Sequence, residues 1–90
     1  MARLMNIGFG NVINTAKIIA VVGPEAAPVK RMVQNARQLG KVIDATQGRR
    51  TKSVIVTEND YIVLSSLQPE TLAKRFQTMG DDGKGENDEG

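Results

Sequence analysis

GKVIDATQGRRTKSVIVTENDYIVLSS, the stretch from Gly40 to Ser66, reads as three short strands in succession. Segments 41–46, 53–57 and 61–65 alternate or run apolar and are rich in β-branched residues, as strands are. Glu58-Asn59-Asp60 has the polar composition of a compact turn, which makes the second and third strands an antiparallel hairpin. The first connection is different in kind, because it carries Gly48-Arg49-Arg50-Thr51-Lys52. At a loop tip two adjacent guanidinium groups can face one partner, whereas on a regular strand they would point to opposite sides. Asp44 interrupts the first strand and is expected to pair with a cation across the sheet or an interface, since an unpaired buried carboxylate is costly.

Outward from this stretch, the remaining elements are short. Residues 4–8 read as a first strand closed by the turn Gly8-Phe9-Gly10-Asn11. A dinucleotide fingerprint starting from Gly8 and Gly10 would need its third glycine where Ile13 stands, so the turn is read as structural. Val12-Ile13 and residues 18–22 supply one broken or two short strands, with a bend or bulge at residues 14–17. Both faces of the 18–22 run are apolar, which fits a strand covered on its second side by a helix or another subunit. A helix is expected to start between Pro24 and Pro28 and run to Leu39, with Gly40 as its C-terminal cap. Its apolar arc holds Val29, Met32, Val33, Ala36 and Leu39; Lys30, Gln34, Arg37 and Lys41 cluster on another side, with Arg31 further round. A second helix runs from Pro69 to about Met79, presenting Leu72, Ala73, Phe76 and Met79 to the sheet. The fold class is therefore α/β (α+β): a small, mostly antiparallel sheet of about five to six short strands with two helices.

With 90 residues and neither cysteine nor histidine, the chain has no disulfides, no thiolate metal site and no imidazole acid–base chemistry. No nucleophile–base set, metal cluster or phosphate-binding fingerprint stands out, so an enzyme, a cofactor and a small-molecule substrate are not expected. No segment reaches the ~18 apolar residues of a membrane span, and the N-terminal residues lack a secretory apolar region; a cytoplasmic protein without membrane association is the expectation. A domain this small has a marginal core and often gains stability by self-association. The net charge of +2 hides a division: residues 1–79, the expected single domain, carry 11 basic and 5 acidic side chains, while residues 80–90 carry net −4 and no apolar side chain. That C-terminal segment reads as a disordered acidic tail.

Arginine is a planar fork of permanent charge that suits phosphate, and Thr51 and Lys52 add a hydroxyl and a flexible cation. One such loop gives about two to four contacts, too few for tight binding at physiological salt, but repetition in a symmetric oligomer multiplies them. Loop chemistry alone leaves nucleic acid, a protein interface and solvent all open. In addition, NIGFGN (6–11), PEAAPVKRMVQNAR (24–37), LGKVIDATQGRRTKSVIV (39–56) and LSSLQPETLAKR (64–75) resemble the bacterial extracellular matrix regulators of the RemA family, over about residues 4–76. The resemblance implies a DNA-binding transcriptional regulator of biofilm matrix genes that assembles into a homo-oligomeric ring. It implies DNA contacts at Arg49 and Arg50, and it aligns a further family arginine with Lys17, which keeps the charge but loses the fork. The expected DNA-binding set is therefore Arg49, Arg50, Lys17, Thr51, Lys52, Lys30 and Arg31, acting on phosphates and DNA shape. An RNA-binding regulator and a protein-interaction or assembly module are the alternatives; with three aromatics in the chain, base stacking is a weak option. Removing the acidic tail should strengthen nonspecific polyanion binding, measured against a random duplex; unchanged affinity would mean the tail does not screen the basic surface.

Overall fold

The computed structural model describes residues 3–80. In chain order the elements are strands β1 (Leu4–Gly8) and β2 (Asn11–Asn14), a 3-10 turn (Thr15–Lys17), β3 (Ile18–Val22) and helix α1 (Ala27–Gln38). Then come β4 (Val42–Asp44), β5 (Ser53–Thr57), a second 3-10 turn (Glu58–Asp60), β6 (Ile62–Ser65) and α2 (Pro69–Gly80). The α+β expectation holds, with the strands divided between a β1–β2 hairpin and a four-stranded sheet of order β3-β5-β6-β4. The acidic segment 81–90 lies outside the described residues; Gly80 itself closes α2.

The sheet is the middle of three layers. Side chains alternate along β5 and β6, so Ile55 and Val63 face one side while Val54, Ile62 and Leu64 face the other, all buried. On the first side the hairpin contributes Met5 and Ile7, and α2 contributes Leu72. On the second side α1 covers the sheet with Ala36, supported by Val29, Met32 and Val33. Helix α1 ends as its glycine predicts: Gly40 takes φ +71°, and the amides of Gly40 and Lys41 donate to the carbonyls of Arg37 and Ala36 at 3.1 and 2.8 Å.

β5 and β6 form the expected antiparallel hairpin across Glu58–Asp60, where Asn59 and Asp60 both adopt left-handed φ. The neighbour of β4 is less obvious. It pairs with β6, in parallel, with Val42, Ile43 and Asp44 opposite Ile62, Val63 and Leu64. The connection carrying Arg49 and Arg50 is therefore not a hairpin loop: it crosses the end of β6 to join the two strands on either side of it. Helix α1, inserted between β3 and β4, delivers β4 to the far edge of the sheet.

Three apolar positions depart from the sequence reading. The register of β3 against β5 slips between Ile18 and Ala20, so Ile19 is the extra residue of a bulge and stands 65% exposed. That slip explains why Ile18 and Val21 face the same core despite odd spacing. Leu39, in the cap of α1, is 67% exposed, and Phe76 on α2 is 53% exposed beside an exposed Ala73. Of the α2 face, Leu72 packs fully and Met79 in part.

Two buried serines tie the layers together at one end. Ser53 and Ser65 are cross-strand partners with no solvent exposure. Ser65 Oγ donates to the Ile7 carbonyl at 2.8 Å and accepts from the Leu67 amide at 3.1 Å, while Ser53 Oγ donates to the Leu67 carbonyl at 2.5 Å. Ser65→Ala leaves the Ile7 carbonyl and the Leu67 amide without this partner and should cost about 1–3 kcal/mol; Leu72→Ala should cost about 2–5 kcal/mol. Denaturant midpoints report both, and an unchanged midpoint for either would contradict the packing described.

Candidate nucleic-acid interface

Segment 45–52 is held from beneath. Asp44 Oδ1 accepts from both the Thr46 amide (2.9 Å) and the Thr46 hydroxyl (2.6 Å), and Thr46 is buried. The Arg49 amide then donates to the Thr46 carbonyl at 2.9 Å, closing a turn whose central residues Gln47 and Gly48 have φ +55° and +78°. Two successive positive φ values are the signature of a type I′ turn, which favours glycine at its second position. A Cβ on Gly48 would meet open space, so it is the backbone angle that demands glycine there. The far side of the segment is fixed by the Lys52 amide, which donates to the Ser65 carbonyl at 2.9 Å.

This anchoring answers the question left by Asp44. Among the described residues it forms no ion pair across the sheet; it caps the turn that launches the two arginines. The hydrogen bonds from the Thr46 hydroxyl and then the Thr46 amide hold its carboxyl below its usual range, with a smaller contribution from the positive charge of Arg37.

Arg49, Arg50 and Lys52 are exposed and Thr51 is half-buried. Alongside them Lys30, Gln34 and Arg37 of α1 line a shallow groove of about 260 Å³ together with Pro24 and Thr51. Arg31 lies on the other flank of α1, in a groove with Met32, Leu39 and Asp60. Lys17 is farther away. It precedes Ile18, which pairs with Thr57, whereas the arginine segment leads into Ser53 at the opposite end of β5. The five residues of β3 separate those ends by roughly 15 Å. Lys17 is instead 3.5 Å from Glu58, an exposed ion pair worth about 0–1 kcal/mol. The fold thus brings together Arg49, Arg50, Thr51, Lys52 and Lys30, and separates them from Lys17 and Arg31.

Two contributors stand outside the expected DNA-binding set. Arg37 joins Lys30 beside Thr51, a position implied by the shared helical face. Phe9, read only as part of a turn, lies against Arg49, with the guanidinium carbon 5.6 Å from the ring centroid. Nothing in the local sequence connects residues 9 and 49.

A family described as RemA-like, extracellular matrix regulatory protein A-like, matches residues 4–76, which hold every element from β1 to most of α2. The chain belongs to the RemA-like family. Among curated relatives, a "Putative regulatory protein" of Clostridium beijerinckii is 51% identical over 87 residues, covering 97% of each chain. Proteins of the same name in Geobacillus thermodenitrificans (51% identical over 81 residues, 90% of this chain and 93% of the relative) and in a Synechococcus strain (53% over 76 residues, 84% and 85%) are similar along most of their length. Family and names point to a regulatory protein rather than an enzyme. No helix among the described residues is long and apolar enough to cross a membrane.

Because the folded-state pKa of Asp44 is depressed, its contribution to stability is complete above the ordinary carboxylate value of 3.8 and is lost as pH falls through the lower folded value. The stability difference between wild type and Asp44→Ala should therefore stay constant from about pH 8 to about pH 5 and shrink only in stronger acid. Urea unfolding across that range checks this; a difference that faded near neutrality would assign the effect to another group.

Proposed function

We propose that this RemA-like protein is a homo-oligomeric transcriptional regulator that binds duplex DNA through repeated copies of the Arg49/Arg50 segment. The supporting observation is the build of that segment. Three exposed cations, Arg49, Arg50 and Lys52, stand on a backbone segment capped by Asp44 and fastened to β6, so the points from which the charges project are fixed. Thr51 and Lys30 extend the same array. Forked donors on fixed mounts suit phosphates at regular spacing, and the segment lacks a helix shaped to enter a groove and read base edges. Lys17 and Arg31 are on other faces of the protomer, and a phosphate contact by either requires DNA that runs beyond the segment of its own copy.

Self-association is supported by the sheet edges. The bulged edge strand β3 presents Ile19, and with Ala73 and Phe76 of α2 it walls an apolar groove of about 500 Å³. At the opposite edge, β4 presents Ile43, 50% exposed. Unlike apolar patches on opposite flanks suit a head-to-tail contact between copies, and such a contact generates a ring when its rotation closes. Each added copy brings another arginine segment to the same polymer, raising avidity without new chemistry.

Salt titration tests the DNA reading. Six to ten phosphate contacts across an oligomer should lose roughly 10³–10⁵ in affinity between 50 and 200 mM salt. Replacing Arg49 and Arg50 by alanine should abolish binding at the upper salt while the oligomer mass stays unchanged. Salt-independent binding, or an oligomer that falls apart in the double variant, would overturn the assignment. Ile19→Glu should separate the copies without unfolding them, read by sedimentation and circular dichroism; an intact oligomer would place the interface elsewhere.

A further inference from the structure

Phe9 sits at the tip of the β1–β2 hairpin with φ +54°, a left-handed conformation that is costly for a bulky side chain. Its ring is 49% exposed, so core burial does not account for tolerating that cost. The tip is nevertheless stiff. Asn6 Oδ1 accepts from the Gly8 amide at 2.7 Å, and Asn11 Nδ2 donates to the Gly8 carbonyl at 3.0 Å. The Ile7 carbonyl, one residue earlier, is held by buried Ser65. An aromatic ring is thus presented on a rigid, strained mount, and the group it meets is the Arg49 guanidinium, at 5.6 Å from the centroid. Among the described residues the ring contact belongs to Arg49 and not to its neighbour Arg50.

We infer that Phe9 is a positioning residue that holds the Arg49 guanidinium in readiness for a DNA phosphate. This rests on the reading of the arginine segment as a DNA contact. At 5.6 Å from the centroid the guanidinium lies within cation–π range of the ring face, and the N–H groups turned away from the ring stay available to donate to a phosphate. An arginine already confined by a ring loses less side-chain freedom when it binds. Arg50, without such a support, remains free to adapt to the phosphate spacing it meets. The two adjacent arginines are therefore unequal: one is set by the hairpin and the other follows the ligand.

The test uses the full-length protein and a fluorescent duplex, at salt low enough that Arg49→Ala still binds measurably. Phe9→Leu keeps an apolar side chain at the same backbone angle and removes the π face; Phe9→Trp restores a π face. Phe9→Leu should weaken binding about two- to five-fold per segment, the equivalent of one exposed cation–π contact. Phe9→Trp should stay near wild type, and Phe9→Leu should add nothing in the Arg49→Ala background. Equal loss from Phe9→Leu in both backgrounds, no loss in either, or a Trp variant as weak as the Leu variant would each overturn the inference. NMR of the DNA-free protein separates this from failure of the DNA reading. The Arg49 Hδ resonances should show a ring-current displacement that Phe9→Leu abolishes, and its absence in wild type overturns the positioning role alone. A wild type that bound no duplex DNA would overturn the DNA reading itself.

Discussion

Burial of the β5–β6 pair on both faces is the constraint from which the rest of the molecule follows. Val54, Ile55, Ile62, Val63 and Leu64 are all buried, yet they point alternately to opposite sides. A two-layer solution would leave one set in water, at a cost of about 1.5–3 kcal/mol for each large side chain exposed. The chain therefore has to supply a cover on each side, and it does so with α1 on one and the hairpin plus α2 on the other. Covering both faces from one short chain also decides where the connections fall. The two helices begin, and the arginine segment runs, at the same end of the sheet, as the Ser53–Ser65 pairing and the Val22–Val54 pairing show.

That end of the sheet combines firmness below with charge above. The polar atoms beneath the segment are buried and satisfied: Thr46 by Asp44, and Ser53 and Ser65 through Leu67 and Ile7. Buried polar groups with complete partners specify one arrangement, because any slip leaves a donor or acceptor unpaired. The side chains above them are solvated and costly only in freedom. The division lets the position of the backbone be fixed without fixing what the outermost groups touch.

Most of the secondary structure was legible because it is written in local signals. The strand periods, the glycine after Leu39, the Glu58-Asn59-Asp60 turn and the proline in the first turn of each helix all act within a few residues of where they stand. The two arginines were legible for the same reason. What escaped was tertiary. That β4 would lie beyond β6 depends on where α1 deposits it, which no local pattern encodes. The bulge at Ile19 hides in a run apolar on both faces, where a register slip leaves the pattern unchanged. Asp44 looked like an ion-pair partner because a capping role two residues on has no apolar signature. Phe9 and Arg49 are forty positions apart, and their meeting is a property of the packed layers.

The parallel placement of β4 beside β6 has a mechanical consequence. The segment between β4 and β5 spans two strand intervals, roughly 10 Å, across the end of β6. A pull on its outer residues acts along the axes of β4 and β5, away from β6, which lies between them. The hydrogen bonds of both ladders are then loaded together in shear rather than opened one at a time from an end. A load applied at this strap would pull against the stiffest direction of the sheet, so the loops at the opposite end should yield before the β4–β6–β5 ladders part.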